Sequence, residues 1–321
     1  MSVGARPSAS AAVGLVYRPA HPSEIAVCAE IWRVSINHYI VPLGQHEIPP
    51  DTNQVIRLFA HLRTTDPERF VVAISSERVV AFAAAVKREQ LWYLSMLFVL
   101  PEIQGVGVGR ELLARVLPED DGVARATATD SAQPIANALY ATYGMVPRMP
   151  LLSLIGLPER PGAFGQLPSG VVPVAFEEAV TGSGGGQRRA DLEGAIEELD
   201  RELVGVARPQ DHGYLRSEGR RGWLYRGPDG QPLGYGYAGE SGRLGPVAVR
   251  DQDLLGPVLG HLTSAVLPRG AFAVWIGGAA DRALVPLLRA GFRLESFPVL
   301  LCWDRPFADF ARFIPNSPGL L

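Results

Sequence analysis

The sequence predicts an α/β chain with mixed sheets, built as two tandem copies of one domain. Three observations carry this reading. Short β-rich runs alternate with amphipathic helical stretches along the whole length. A glycine-rich turn, residues 104–109, separates the apolar run Leu97-Phe98-Val99-Leu100-Pro101 from a helical stretch, Arg110 to Leu117. After a proline- and glycine-rich segment at 158–170 the element order begins again. Gly256 lies 149 positions beyond Gly107 (256 − 107) and Gly291 lies 147 beyond Gly144 (291 − 144). That period belongs to a duplicated domain, not to a short solenoid repeat. With 321 residues the chain also exceeds the usual size of one domain.

The first copy spans 15–157, behind a flexible tail at 1–14 that lacks the basic lead and apolar core of a signal peptide. Val16-Tyr17-Arg18 is a short strand. Pro22-Ser23-Glu24 opens a helix that aligns Ile25, Ala29, Trp32 and Ile36 on one face. Residues 37–50 are rich in turn formers and read as irregular; a second helix covers Asn53 to Leu62. Phe70 to Ile74 and Val79 to Val86 are β-rich, and Ser75-Ser76-Glu77-Arg78 between them signals a hairpin. Leu91 to Leu100 is the long strand entering the glycine turn, and the helix beyond it aligns Leu112, Leu113 and Val116. Val123 to Ala128 is a strand, a helix around Asn137 follows, and Leu151 to Ile155 closes the copy. Trp92 and Tyr93 read as core packing.

Residues 158–170 hold no apolar period and read as a linker. The second copy, 171–321, starts with a strand at Val171 to Phe176, a loop at Thr181 to Gln187 and a helix from Ala190 to Val204. Trp223 to Tyr225, Gly234 to Ala238 and Arg243 to Val249 are strands, with Pro228-Asp229-Gly230 turning between the first two. Leu254 to Val266 is helical, Phe272 to Ile276 a strand, Leu284 to Ala290 a helix ended by Gly291, and Leu294 to Trp303 a closing strand. Phe307, Phe310, Phe313 and Ile314 fall near helical spacing in a tail apolar enough to be docked on the first copy or on another subunit.

The chemistry concentrates at the glycine turn. Backbone N–H groups there and the positive end of the following helix dipole converge on one concavity, which suits a diphosphate. A side chain at Gly107 or Gly109 would hold phosphate oxygens away from those donors. Gly109 is followed by Arg110-Glu111, so the turn is no Walker loop. The dinucleotide fingerprint fails as well, with Arg110 or Leu112 where its third glycine belongs. What fits is Gln/Arg-x-x-Gly-x-Gly/Ala after a strand ending Val-x-Pro. This pattern resembles the acetyl-CoA loop of the GNAT (GCN5-related) N-acetyltransferases. Asn137-Ala138-Leu139-Tyr140-Ala141-Thr142-Tyr143-Gly144-Met145 is similar to the later helix of that family, and the element order matches its fold. The chain is thereby identified as a tandem GNAT protein.

That resemblance implies acetyl-CoA as co-substrate, held by Gln104, Gly105, Val106, Gly107, Val108, Gly109 and Arg110. It implies that N–H groups near Phe98 and Val99 polarise the thioester carbonyl, that Asn137 touches the pantetheine arm and that Tyr140 is the general acid; Tyr140 could equally be a core residue. It also implies a sheet that splays between its fourth and fifth strands. The general base is less well marked: His38 is a candidate, with a surface or capping role as the alternative, and Glu102 is a weaker one. The second copy is degenerate. Asp251 and Asp253 put negative charge where a diphosphate would lie, Pro257 removes an N–H, and Leu287-Leu288 stand where the first copy has Leu139-Tyr140. This departs from tandem members in which the C-terminal copy does the chemistry. Arg208-Pro209-Gln210-Asp211-His212 is a polar cluster, read either as a solvated loop with a local ion pair or as Asp211 and His212 at an interdomain cleft, binding a cationic substrate or tying the domains together.

A net charge of −3 without a basic stripe argues against nucleic acid. No membrane-length apolar run occurs, and Cys28 and Cys302 form neither a disulfide nor a metal framework, which suits a cytoplasmic protein without metal. The expected function is N-acetylation of a small-molecule amine by direct attack in a ternary complex, by a monomer or homodimer. A non-catalytic acyl-CoA sensor, a different acyl group and a protein acceptor are the alternatives.

Overall fold

The computed structural model describes residues 14–179 and 185–321. The expected tail at 1–14 and the loop at 181–187 fall largely outside them. The chain divides into two compact units: residues up to 87 together with 92–125, and residues 88–91 together with 126–321.

In the first unit β1 (Val16–Pro19), β2 (Phe70–Ser75), β3 (Arg78–Arg88) and β4 (Leu91–Val99) lie side by side in that order. The hairpin between β2 and β3 turns through Ser76 and Glu77, both with positive φ. β2 and β3 read as continuous apolar runs, because most of their side chains are buried whichever way they point. Phe59 of α2 (Asn53–Thr65) meets Phe70 and Phe82 edge-on and tilted. Trp92 of β4 donates its indole N–H to the Val116 carbonyl at the end of α3 (Val108–Val116), 2.8 Å away. The first helix, α1 (Ile25–Ile40), is longer than its sequence suggests. Its last turn includes Asn37, whose amide exchanges hydrogen bonds with both the N–H and the carbonyl of Ile48 at 2.8 and 3.1 Å. A turn former here pins the following loop instead of starting it.

The second unit holds β5 (Ala124–Asp130, its first two residues counted with the first unit), α4 (Pro134–Ala141) and β6 (Val146–Gly156). Beyond them come β7 (Val172–Ala175), α5 (Phe176–Ala179), α6 (Gly185–Leu203), α7 (Pro209–Ser217), β8 (Arg220–Arg226), β9 (Pro232–Gly239) and β10 (Leu244–Val249). The chain finishes with α8 (Leu255–Ala265), β11 (Phe272–Gly277), α9 (Asp281–Ala290), β12 (Arg293–Trp303) and β13 (Phe313–Ile314). One run of paired strands is β5-β12-β6-β11; a separate sheet is β13-β10-β9-β8-β7.

The first run records a strand exchange. β12, from the C-terminal half of the sequence, lies antiparallel between β5 and β6 of the N-terminal half, and β6 in turn lies between β12 and β11. The duplication is visible in the hydrogen bonds. Ser131 N–H donates to Pro298 where β5 meets β12, and Gly278 N–H donates to Pro150 where β11 meets β6. α4 and α9 end alike as well, with left-handed Gly144 and Gly291 and the bonds Met145 N–H to Tyr140 and Phe292 N–H to Leu287. Counting back from the two glycines aligns Tyr140 with Leu287, one residue earlier than the Leu288 expected from the sequence.

Three expectations are corrected. Residues 158–170 join the halves but are docked: a 3-10 turn at Pro161–Phe164 buries Phe164 against Phe292, at 6.4 Å between ring centroids. The closing segment forms no helix. Phe313 and Ile314 pair with Ala248 and Val247 as β13, and Trp303, Phe307 and Phe310 stack on one another before it. Residues 209–212 open α7 rather than a solvated loop.

Candidate functional site

The residues after β4 form a turn that presents a row of backbone N–H groups. Gly105 and Gly107 adopt φ of +83° and +93°, conformations that L side chains rarely take, and a Cβ at either would meet nothing within 4 Å. These glycines serve the backbone geometry and leave the space before them open. Gly107 is the N-cap of α3 and has no capping side chain. Among the described residues no acceptor meets the N–H groups of 105–110; the first helical bond runs from Glu111 N–H to the Gly107 carbonyl at 3.1 Å. Unsatisfied donors at the positive end of a helix favour phosphate oxygens. Val108 is buried and anchors the turn, while Gln104, Gly105, Gly107 and Arg110 are exposed.

The turn is held from behind. The Val99 carbonyl accepts from Gln104 Nε2 at 2.8 Å and from Ser35 Oγ at 3.1 Å. Gln104 therefore braces the turn against the end of β4, and its side chain is committed there. Ser35, in α1, is a positioning residue that sequence reading missed; a serine in a helical apolar pattern carries no signal until the helix is docked on β4. Phe98 stacks on Phe82 at 5.8 Å. His38 is exposed in the last turn of α1, three residues beyond Ser35, and not in a loop after the helix.

In the second unit, α4 carries Asn137 and Tyr140. Asn137 donates Nδ2 to the carbonyls of Asp130 and Gln133 at 3.0 and 2.8 Å, and its Oδ1 is buried without a partner. Such an acceptor is costly unless a ligand donor or water reaches it. Tyr140 is 5% exposed. Burial, with the nearby Cys302 of β12 as a lesser cause, raises its phenol well above the ordinary tyrosine value, so it keeps its proton at neutral pH.

Asp211 and His212 are brought into a buried polar network. Asp211 accepts a two-pronged ion pair from Arg88 at 2.7 and 2.9 Å. His212 lies between Asp200 Oδ2 and the Tyr237 hydroxyl, 2.8 Å from each. Asp200 also pairs with Arg208, which reaches the main-chain oxygen of Leu321. Both predicted residues are 3% exposed, with their side chains engaged by the protein.

The counterpart of the glycine turn in the second half is built differently. Asp251 caps its own turn by accepting from Asp253 N–H at 3.0 Å, and Arg282 pairs with Asp253 at 3.2 Å. A Cβ at Gly256 would lie 2.9 Å from the Phe164 carbonyl, so the docked linker covers this helix start. Among the described residues β10 and β11 are paired through an isolated bridge between Arg243 and Ala273; farther along, β13 pairs with β10. The chain's own strand thus fills the side of β10 that would line a cofactor cleft.

Residues 55–150 match the family model for the acetyltransferase (GNAT) domain. Among solved structures, a Pyrococcus horikoshii protein reported as a candidate acetyltransferase superposes with a TM-score of 0.72 at 16% identity, covering 96% of each chain. A GCN5-related N-acetyltransferase from Sphaerobacter thermophilus gives 0.58 at 18% identity, covering 93% of this chain and 98% of its own. A tandem GNAT protein from the clavulanic acid biosynthesis pathway gives 0.53 at 16%, covering 91% and 99%. No curated protein matches the chain. Residues 55–150 thus carry a match to the GNAT acetyltransferase domain, and the chain as a whole shares the fold of these GNAT structures. Its two-copy architecture is similar to that of the tandem GNAT protein, and its second copy departs from the first at the glycine turn. Among the described residues no helix is long and apolar enough to cross a membrane.

Proposed function

We propose that this protein is an acetyl-CoA-dependent N-acetyltransferase that acetylates a small-molecule amine by direct attack in a ternary complex. The observation that carries the reading is the row of N–H groups at 105–110, without acceptors and with two left-handed glycines that leave the space before them open. Bound there, acetyl-CoA supplies an activated acyl group and a thiol leaving group. The 105–110 donors neutralise diphosphate oxygens, aided by the exposed Arg110. Asn137 Oδ1 accepts an amide N–H. Backbone N–H groups near Phe98 and Val99 hold charge as it develops on the carbonyl oxygen. Tyr140, kept protonated by burial, places a proton on the path of the departing sulfur. His38 takes the amine proton, directly or through water. The buried thiols of Cys28 and Cys302, each pushed up to about 12 by burial, are poor nucleophiles, which favours direct attack over an acyl-cysteine. We place the protein in the cytoplasm, as a monomer or homodimer.

Calorimetric titration with acetyl-CoA and thiol release across an amine panel test this. Gly107→Val should weaken coenzyme binding at least about tenfold by steric and backbone strain. Tyr140→Phe should leave binding within about twofold and lower turnover roughly ten- to hundredfold. Tight binding with no acceptor-dependent thiol release would instead identify an acyl-CoA sensor.

A further inference from the structure

We propose that the second half carries an oxyanion site at the start of β10, where Arg220 and Arg243 hold a carboxylate or phosphate group. Arg220, the first residue of β8, sends its guanidinium to the Gly245 carbonyl at 2.6 Å, a neutral acceptor that leaves its charge uncompensated. Arg243 precedes β10, and its guanidinium has no hydrogen-bond partner among the described residues. Among the described residues no ion pair within 4 Å compensates either arginine.

Both residues are half-buried, and the Arg243 charge acts on Arg220. Desolvation first, and then the Arg243 charge, pushes Arg220 down to about 10, against weaker support from Tyr214, Glu218 and Tyr237. Arg243 is lowered by desolvation, with Glu295 and Tyr214 opposing it. Two partly desolvated like charges, offset only by carboxylates outside ion-pair distance, are costly to keep together. A bound oxyanion would pay both costs at once, and paired guanidiniums offer the forked donors that carboxylate and phosphate accept.

Two further observations bear on this region, one of them in the chain segment beside Gly245. Asn316 is 4% exposed with its side-chain oxygen unpartnered, and it follows Pro315, whose carbonyl would lie 3.2 Å from a Cβ at Gly245. An amide can present either its oxygen or its NH2, so the Asn316 side chain retains unused hydrogen-bonding capacity one residue beyond that contact. The first half offers no such charge. Arg243 stands six residues before the end of its strand at Val249; six before Val99 the first half has Tyr93, 2% exposed in the core. The cation is therefore a feature of the second copy and not of the shared fold.

The test compares wild type with Arg243→Gln by thermal melting in chloride buffer, then with sodium phosphate or sodium succinate at matched ionic strength. Saturating coenzyme A is present throughout. The decisive quantity is the difference between the two proteins, because phosphate entering the 104–109 turn would stabilise both alike. Wild type should gain roughly 2–4 °C more than the variant with at least one anion. A difference with phosphate alone, or with succinate alone, assigns the ligand chemistry. Equal shifts in the two proteins with both anions overturn the proposal, whatever becomes of the acetyl-CoA reading. If Arg243→Gln does not fold, calorimetry with phosphate and succinate on wild type and Arg243→Lys decides instead. Saturable binding that weakens several-fold in the lysine variant is expected, and no saturable binding or an unchanged affinity overturns it.

Discussion

Asp200 is fully buried, and four groups depend on its charge: Arg208, His212, Tyr235 and, through His212, Tyr237. Burial alone would push its carboxyl upward. The neighbouring Arg208 and His212 charges and the hydrogen bonds outweigh that, holding it below the ordinary aspartate value. A carboxyl depressed in the folded state contributes stability above its unfolded pKa and loses it as pH falls through the folded one. Wild-type stability should therefore fall as pH drops below about 4, and Asp200→Asn should show a flatter dependence there. At pH 7 the variant should be less stable by about 3–5 kcal/mol, because Arg208 is left buried and unpaired. Chemical denaturation across pH checks both; an unchanged acid limb would remove Asp200 as its source. Little of this was legible in the sequence. Asp211 and His212 stood out as a polar cluster, but Asp200 lies within an amphipathic helix whose acidic residues look alike. Only the packing of Tyr235 and Tyr237 from β9 singles it out. The glycine turn was legible because backbone chemistry requires particular residues at particular positions, whereas a buried ion network can be assembled from many sequences.

Among the elements, the turn between β3 and β4 shows how the two halves of the sequence are tied within the second unit. Arg88 pairs with Asp211 at the start of α7, and Glu89 accepts from Arg201 of α6 and from the Ala207 N–H. Arg88 and Asp211 are each 4% exposed at the side chain, so their pairing belongs to the class in which losing one partner costs more than losing both. Arg88→Met or Asp211→Leu alone should destabilise by about 3–5 kcal/mol. The double variant should recover at least about half of the summed loss, a coupling read from a double-mutant cycle in urea. Additive losses would show that the two side chains act through other neighbours. Arg201 and Glu89 are half-exposed, and the same cycle there should give at most about 1 kcal/mol. Element order and type follow closely from apolar periodicity in both halves, and most strand ends shift by only a few residues. What periodicity could not reveal was pairing. β12 and β6 read as the closing strands of separate copies, and nothing in their composition distinguishes a strand that stays home from one that crosses over.

For the whole molecule, that crossing sets what can fold alone. The duplication predicts two self-sufficient domains, 15–157 and 171–321. Yet β5 and β6 of the first half have β12 between them, and β11 of the second half has only β6 as its ladder partner in that run. Cutting the chain in the 158–170 linker strips each half of a strand and uncovers apolar side chains: Leu301 and Cys302 lose their place beside β5 and β6, and Leu151 and Leu154 lose theirs beside β12 and β11. Unpaired inner strands with apolar faces invite aggregation or pairing with another copy. The docked linker adds to the cost, since Phe164 belongs to the core of the second half. Residues 1–170 and 171–321 expressed separately should therefore be insoluble or self-associated. Co-expressed without a covalent link, they should recover a soluble one-to-one complex with helical and strand circular dichroism like that of the intact chain. Two soluble, cooperatively melting monomers would show that each half can close its own sheet, and that the exchange of β12 and β6 is dispensable. Duplication would then have supplied a spare domain. If the halves depend on one another, it supplied a second copy free to lose its glycine turn because its strands remain necessary to the first.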